Sequence, residues 1–182
     1  MMPDDLGARL FSAVIYTDTH VNQSETESMS PHEVNLVANA RLRHVVREIN
    51  HINPVFAINL GDLVHPVPVM EIYKDAAERF LDETSKLKCP HYLVPGNHDV
   101  GEKVLKWSPA EPINDAYLAL WAKHFGADHY AFDHGDCHFV VLNAQLINSG
   151  LAAEAEQRRW LEKDLAENSG KRLFINMHYP PY

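Results

Sequence analysis

Residues 91–99 read HYLVPGNHD, an apolar run that passes directly into Gly96, Asn97, His98 and Asp99. Three further short apolar runs, residues 11–17, 55–60 and 173–177, also pass directly into polar side chains. The side chains that follow these three runs are Asp18 and His20, Asp62, and His178. Short continuous apolar runs are typical of strands buried on both faces of a mostly parallel sheet. Ligands bind at the carboxyl edge of such sheets, so we expect these side chains to converge there.

Helical patterns lie between these runs and predict an α/β domain. Apolar residues keep helical spacing over four segments, residues 31–52, 69–86, 113–125 and 152–168. The segment Ser30-Pro31-His32-Glu33 is a capping box, which predicts that the first helix begins there. Residues 130–133 and 138–143 flank a turn that contains Gly135 and predict a hairpin. Strands that alternate with helices are typical of α/β architecture.

The composition is that of an ordinary globular domain with an acidic surface. Of the 182 residues, 46% are hydrophobic and 23% are charged, which excludes an intrinsically disordered chain. The 16 Lys and Arg against 25 Asp and Glu give a net charge of −9, which disfavours nucleic acid and an anionic membrane as partners. A small phosphorylated substrate stays possible, because bound metal ions reverse the charge of a pocket locally.

Cysteine usage and the N-terminal residues bear on the compartment. Cys89 and Cys137 lie far apart without CxxC spacing, and the acidic start of the chain does not resemble a signal peptide. No apolar run approaches the ~20 residues that a membrane span needs. We therefore expect a protein of the reducing cytoplasm.

The polar set at the strand ends combines carboxylates, an amide and histidines without a thiolate. This mixture of oxygen and nitrogen donors suits Mn, Fe, Zn or Co better than a thiolate zinc site or an all-oxygen Ca²⁺ site. One carboxylate is able to bridge two cations, and paired metals ~3.5–4 Å apart assist phosphoryl transfer. Gly61 and Gly96 fit this design, since a residue without Cβ lets the backbone turn sharply beneath a ligand.

The order of these motifs resembles the calcineurin-like metallophosphoesterase family over nearly the whole chain. The matching motifs are DxH at 18–20, GD at 61–62, GNHD at 96–99 and the histidine at 178. Leu142-Asn143, Gln157 and Trp160-Leu161 are similar to the branch of cyclic-nucleotide phosphodiesterases and purple acid phosphatases. That branch often has Asp at the position of Asn143. The resemblance implies a β-sandwich of two mixed sheets flanked by helices.

The resemblance also implies a dinuclear metal site. Asp18 and His20 are expected to bind the first metal, and Asp62 to bridge both metals. Asn97 and His178 are expected to bind the second metal. The two ions implied are Mn, Fe or Zn.

The implied reaction is hydrolysis of a phosphomonoester or phosphodiester by a hydroxide bound to the two metals. His98 is expected to contact the phosphate and to protonate or stabilise the leaving oxygen. Asp99 is expected to orient His98 by a hydrogen bond. The implied partner is a small phosphorylated substrate.

The chain departs from the family pattern after His178, because residues 179–182 do not contain the GHxH motif that normally ends the site. We therefore expect residues 1–182 to form a single metallophosphoesterase domain that is incomplete at its C-terminus. An alternative function follows from the same departure: a catalytically impaired remnant or fragment that binds a ligand or a partner. A strand exposed at a truncated end favours pairing with a second copy, so a homodimer is a further expectation.

The sequence does not decide whether two other histidines, His65 and His32, belong to the site. His65 follows Gly61-Asp62 closely and could reach the pocket, and His32 follows a polar loop that could overhang it. Structural or surface roles stay open for both.

Overall fold

The computed structural model describes residues 9–103 and 111–179, and its named strands form two sheets. The first sheet is parallel and has the order β1 (Val14–Tyr16), β2 (Ala57–Asn59) and β3 (His91–Leu93). The second sheet is mixed, with β4 (Tyr130–His134) antiparallel to β5 (Cys137–Val141) and β6 (Arg172–Asn176) parallel to it. The predicted hairpin is confirmed as β4 and β5.

The four predicted helices are present with shorter bounds. They are α1 (Ala38–Ile52), α2 (Tyr73–Thr84), α4 (Asp115–His124) and α5 (Ala152–Glu167), and the short α3 covers Asn97–Val100. The predicted capping box is wrong, because residues Glu33–Val37 form a 3₁₀ helix that precedes α1. The Ser30 hydroxyl accepts from the backbone N–H of His32 at 3.2 Å and from the Asn35 amide at 2.8 Å. No helix of the described part of the chain has both the length and the apolar character to cross a membrane.

Aromatic side chains join the two sheets into a sandwich. The ring centroid of Phe56, just before β2, lies 5.0 Å from that of Phe139 on β5 and 5.3 Å from that of Phe132 on β4. Side chains alternate along a strand, so Phe139 faces the first sheet while His138 faces the opposite way. His138 Nε2 lies 2.8 Å from Asp164 on α5, which places α5 on the outer face of the second sheet.

A second apolar cluster covers the other face of the first sheet. It contains Leu42 of α1, Phe80 of α2 and Trp121 of α4, each at most 2% exposed. Burying an aliphatic or aromatic side chain of this size contributes roughly 1.5–3 kcal/mol. All three residues of β2 are buried, because this strand lies between the helices and the second sheet. The predicted α/β sandwich flanked by helices is confirmed.

The run 173–177 does not join the strands that it resembles in sequence. It forms most of β6, which within the described residues pairs only with β5 and not with the first sheet. The side chains of Leu173, Phe174 and Ile175 are 41–47% exposed, so among the described residues this run is not the strand buried on both faces that its apolar sequence predicts. The end of β6 nevertheless reaches the end of β2, since His178 Nδ1 lies 2.9 Å from the carbonyl oxygen of Leu60.

Candidate metal centre

The loops after β1 and β2 are hydrogen-bonded to each other and carry the first three predicted ligands. Asp18 N–H donates to the carbonyl of Gly61 at 2.9 Å, and His20 N–H donates to that of Asp62 at 3.1 Å. Asp18, His20 and Asp62 have φ angles of 54°, 44° and 54°, in the left-handed region. Such conformations are rare for these residue types and are concentrated at functional sites.

One set of donor atoms lies between these two loops. His20 Nε2 is 3.6 Å from Asp18 Oδ1 and 3.6 Å from Asp62 Oδ2. A metal bound through bonds of ~2.1 Å spaces neighbouring ligands by roughly 3–3.5 Å, so the three atoms are near the separation that one ion requires. The His20 imidazole, followed by the Thr17 hydroxyl, lowers the pKa of Asp18 to about 2, although burial opposes it. Asp18 is therefore a carboxylate at neutral pH.

A second set of donor atoms surrounds His178. His178 Nε2 is 3.0 Å from Asn97 Oδ1 and 3.5 Å from Asp62 Oδ1. Its Nδ1 lies 2.9 Å from the carbonyl of Leu60, which only accepts, so Nδ1 carries the proton and Nε2 presents a lone pair. Nε2 then faces the Asn97 oxygen, acceptor against acceptor. A cation between these atoms removes the repulsion, so the donor set fits a metal.

Asp62 lies between the two sets and is only 4% exposed. Its Oδ2 faces His20 and its Oδ1 faces His178. The backbone N–H of His98 donates to Oδ1 at 2.9 Å and fixes the plane of the carboxylate. One carboxylate thus presents a separate oxygen to each set, which is the arrangement that a bridging ligand requires.

Two glycines permit this close approach of the loops. A Cβ built on Gly96 would lie 2.2 Å from Asp62 N and 2.3 Å from Asp62 Oδ1. A Cβ on Gly61, where φ is +111°, would lie 2.8 Å from His178 Nδ1. The expectation that Gly61 and Gly96 make room beneath the ligands therefore has a direct steric explanation.

The expected contact between Asp99 and His98 is wrong. Asp99 is fully buried, and its carboxylate accepts from the backbone N–H groups of Leu63 at 3.0 Å and Gly96 at 2.9 Å. It therefore ties the loop after β2 to the loop after β3. Burial, followed by the charge of Asp62, raises the pKa of Asp99 well above its ordinary value.

His98 is oriented instead by a backbone group. Its Nδ1 lies 2.7 Å from the carbonyl oxygen of His65, so Nδ1 carries a proton and donates. Nε2 remains available to the pocket. The sequence pattern did not reveal this contact, because a carbonyl acceptor has no residue signature.

Of the two histidines left open, His65 lies in the site. Potential donor atoms of His20, His65 and His98 all lie within 4.8 Å of one another. Burial, followed by the charges of His98 and His20, lowers the pKa of His65 to about 4, so its imidazole is neutral at pH 7. His32 is exposed and belongs to neither donor group that the described residues form.

A polar pair that the sequence did not indicate lies next to His178. The Tyr179 hydroxyl donates to Glu102 Oε2 at 2.9 Å, and Glu102 is 3% exposed. Burial, followed by the hydrogen bond to Glu102, raises the pKa of Tyr179. Residues 104–110 and 180–182 lie outside the described residues.

Asn143 and Gln157, which belong to the motifs that resemble one branch of the family, have a structural role. The Gln157 side chain accepts from the backbone N–H of Asn143 at 2.8 Å and donates to its carbonyl at 3.1 Å. The Asn143 side chain donates to Asp128 Oδ2 at 3.0 Å. Asn143 and Gln157 therefore fasten α5 to the end of β5.

The profile of the calcineurin-like phosphoesterases matches residues 11–182. The chain belongs to this family. It is 31% identical over 146 residues to the serine/threonine-protein phosphatase CPPED1 of Rattus norvegicus, covering 74% of this chain and 44% of that protein. It is 28% identical over 126 residues to purple acid phosphatase 15 of Arabidopsis thaliana, covering 63% and 22% respectively. The chain thus spans less than half the length of these relatives, which bear the names of hydrolases.

Solved structures have the same fold. A dimetal phosphatase from Danio rerio superimposes with a TM-score of 0.58 at 14% identity, over 93% of this chain and 70% of that one. Purple acid phosphatase PPD1 from yellow lupin gives a TM-score of 0.53 at 17% identity, over 85% and 27%. The predicted family and fold class are confirmed.

Proposed function

We propose that the chain is a metal-dependent phosphoesterase that holds two metal ions, Mn, Fe or Zn. The observation that carries the proposal is the placement of the Asp62 carboxylate, whose two oxygens face two separate sets of donors. Asp18 and His20 complete the first set, and Asn97 and His178 complete the second. When bound, the ions supply an activated water and stabilise charge on the phosphoryl oxygens.

His98 is the group proposed to act on the leaving oxygen. Its Nδ1 is held by the carbonyl of His65, so Nε2 alone faces the reacting groups. A correctly placed acid of this kind contributes ~10²–10⁴-fold to turnover. Asp99 has a positioning role, since it holds the backbone of Gly96 and Leu63 and, through them, the loops that carry Asn97 and Asp62.

The proposed substrate is a small phosphomonoester. The relatives are named phosphatases, one of them a serine/threonine-protein phosphatase, and phosphatases act on monoesters. The net charge of −9 supports a need for metal ions before an anionic substrate enters the site.

The first experiment compares the unmutated chain with Asp62→Asn. Elemental analysis gives metal per chain, and p-nitrophenyl phosphate and bis(p-nitrophenyl) phosphate report monoesterase and diesterase activity with added Mn²⁺. We expect about two metals per chain and a loss of turnover above ~100-fold in Asp62→Asn, beyond the ~10–100-fold typical of losing an outer partner. The exposed turn variant Asp136→Asn is the matched control.

Each outcome has a definite meaning. Equal activity of Asp62→Asn and the unmutated chain would refute the assignment of Asp62 as the ligand shared by the two metals. An unmutated chain that stays inactive with added Mn²⁺ would favour the ligand-binding alternative. His98→Ala separates chemistry from binding, because it should lose turnover and keep its metals; loss of metal would instead make His98 a ligand.

A further inference from the structure

His65 is fixed on both sides where the loops after β1 and β2 meet. Its backbone N–H donates to the carbonyl of Val21 at 2.9 Å, and its own carbonyl accepts from His98 Nδ1 at 2.7 Å. Its imidazole lies beside that of His20, with ring centroids 5.5 Å apart. The Nδ1 atom of His65 is buried and has no hydrogen-bond partner among the described residues. An unsatisfied buried polar atom is destabilising, so this nitrogen needs a partner that the described residues do not supply.

We propose that His65 is a nitrogen ligand of the first metal, beside Asp18, His20 and Asp62. This inference rests on the proposed function, because it requires a metal at that position. Two groups of potential donors share His20: one with Asp18 and Asp62, the other with His65 and His98. Within each group the donor atoms lie within 4.8 Å of one another. His20 is therefore the residue that the two groups have in common.

In the group of His20, His65 and His98, the hydrogen bonds indicate which histidines bind the metal. His98 has its Nδ1 engaged by the His65 carbonyl, and its Nε2 is the atom assigned to the leaving oxygen. His20 and His65 remain as nitrogen donors.

The additional imidazole changes the chemistry of the first position. Asp18, His20 and Asp62 supply two oxygen donors and one nitrogen donor. With His65 the site has two oxygen donors and two nitrogen donors. Nitrogen donors favour Zn²⁺ over Mn²⁺, which prefers oxygen. A variant without the imidazole is therefore expected to lose more affinity for Zn²⁺ than for Mn²⁺.

The test is isothermal titration of the chelator-stripped chain with Zn²⁺ and, separately, with Mn²⁺. His65→Ala should weaken one of the two Zn²⁺ sites by at least ~10-fold and affect Mn²⁺ less. His65→Asp, which offers oxygen in place of nitrogen, should restore Mn²⁺ binding more than Zn²⁺ binding. His51→Ala, an exposed histidine in the last turn of α1, is the matched control. Zn²⁺ affinity within twofold of the unmutated chain in His65→Ala would overturn the inference.

A measurement on the unmutated chain covers the case in which the variants do not fold. With ¹⁵N-labelled imidazoles, addition of Zn²⁺ should shift the ring nitrogen resonances of His65 as well as those of His20; an unmoved His65 would refute its ligation. Zn²⁺ binding that depends on Asp62 but not on His65 would overturn this inference alone. No metal binding, or binding unaffected by Asp62→Asn, would overturn both proposals.

Discussion

Gly96→Ala tests whether the metal centre depends on the close approach of the loops after β2 and β3. The added Cβ would lie 2.2 Å from Asp62 N and 2.3 Å from Asp62 Oδ1, whereas ordinary contacts begin at 3.4 Å. The two loops must therefore separate by about 1.2 Å, the difference between 3.4 and 2.2 Å. The backbone of Gly96, with φ −102° and ψ 176°, is one that alanine adopts freely. The whole effect is thus steric.

The expected result is a loss of both stability and function. Overpacking of this kind costs ~1–3 kcal/mol, which lowers the melting temperature by roughly 2–12 °C in a chain of this length. A displacement of ~1 Å at a catalytic centre costs about 100-fold in turnover, and the displaced carboxylate is the proposed bridge. Metal per chain should fall in parallel.

The assay combines thermal unfolding, elemental analysis and hydrolysis of p-nitrophenyl phosphate. Gly170→Ala is the matched control, because a Cβ there meets no atom within 4 Å. We expect it to change stability by no more than ~0.5 kcal/mol. A Gly96→Ala chain with unchanged metal content and turnover would refute the steric argument.

Three further predictions concern the polar groups that hold the layers together. Asp99→Asn should lower the free energy of unfolding, measured by urea titration, by ~1–3 kcal/mol. The reason is that the NH₂ group of the new amide must face one of the backbone N–H groups, of Leu63 or Gly96, that now donate to the carboxylate. Equal stability would show that the carboxylate does not hold the two loops together. The pKa of His138 is raised, because hydrogen bonds to Asp133 and Asp164 outweigh burial. The contribution of His138 to the free energy of unfolding is therefore complete below the unfolded pKa of ~6.5 and is lost as the pH rises through the pKa of the folded state. When the free energy of unfolding is measured against pH, a His138→Gln variant should not show this loss. Gln157→Ala should lower the melting temperature by ~2–12 °C, because the buried backbone N–H and carbonyl of Asn143 lose their partner on α5. An unchanged melting temperature would contradict the importance of that contact.

The order of motifs along the chain was sufficient to predict the family and the polar residues at the strand ends, and the spacing of apolar residues predicted the helices. Metal chemistry requires particular donor atoms, and parallel strands bring their carboxyl ends to one edge of a sheet. Asp18, Asp62 and Asn97 were therefore predictable as neighbours. Their convergence is observed, although His178 arrives from the second sheet and not from the first.

The tertiary structure alone determined how these groups contact one another. Asp99 bonds to Leu63, 36 positions away, and not to its neighbour His98, because two buried backbone N–H groups face its carboxylate. His65 belongs to the site because the loops after β1 and β2 are hydrogen-bonded to each other, as His65 N–H and Val21 O show. Local sequence patterns report propensity and periodicity, whereas partners for buried polar atoms depend on packing between distant segments.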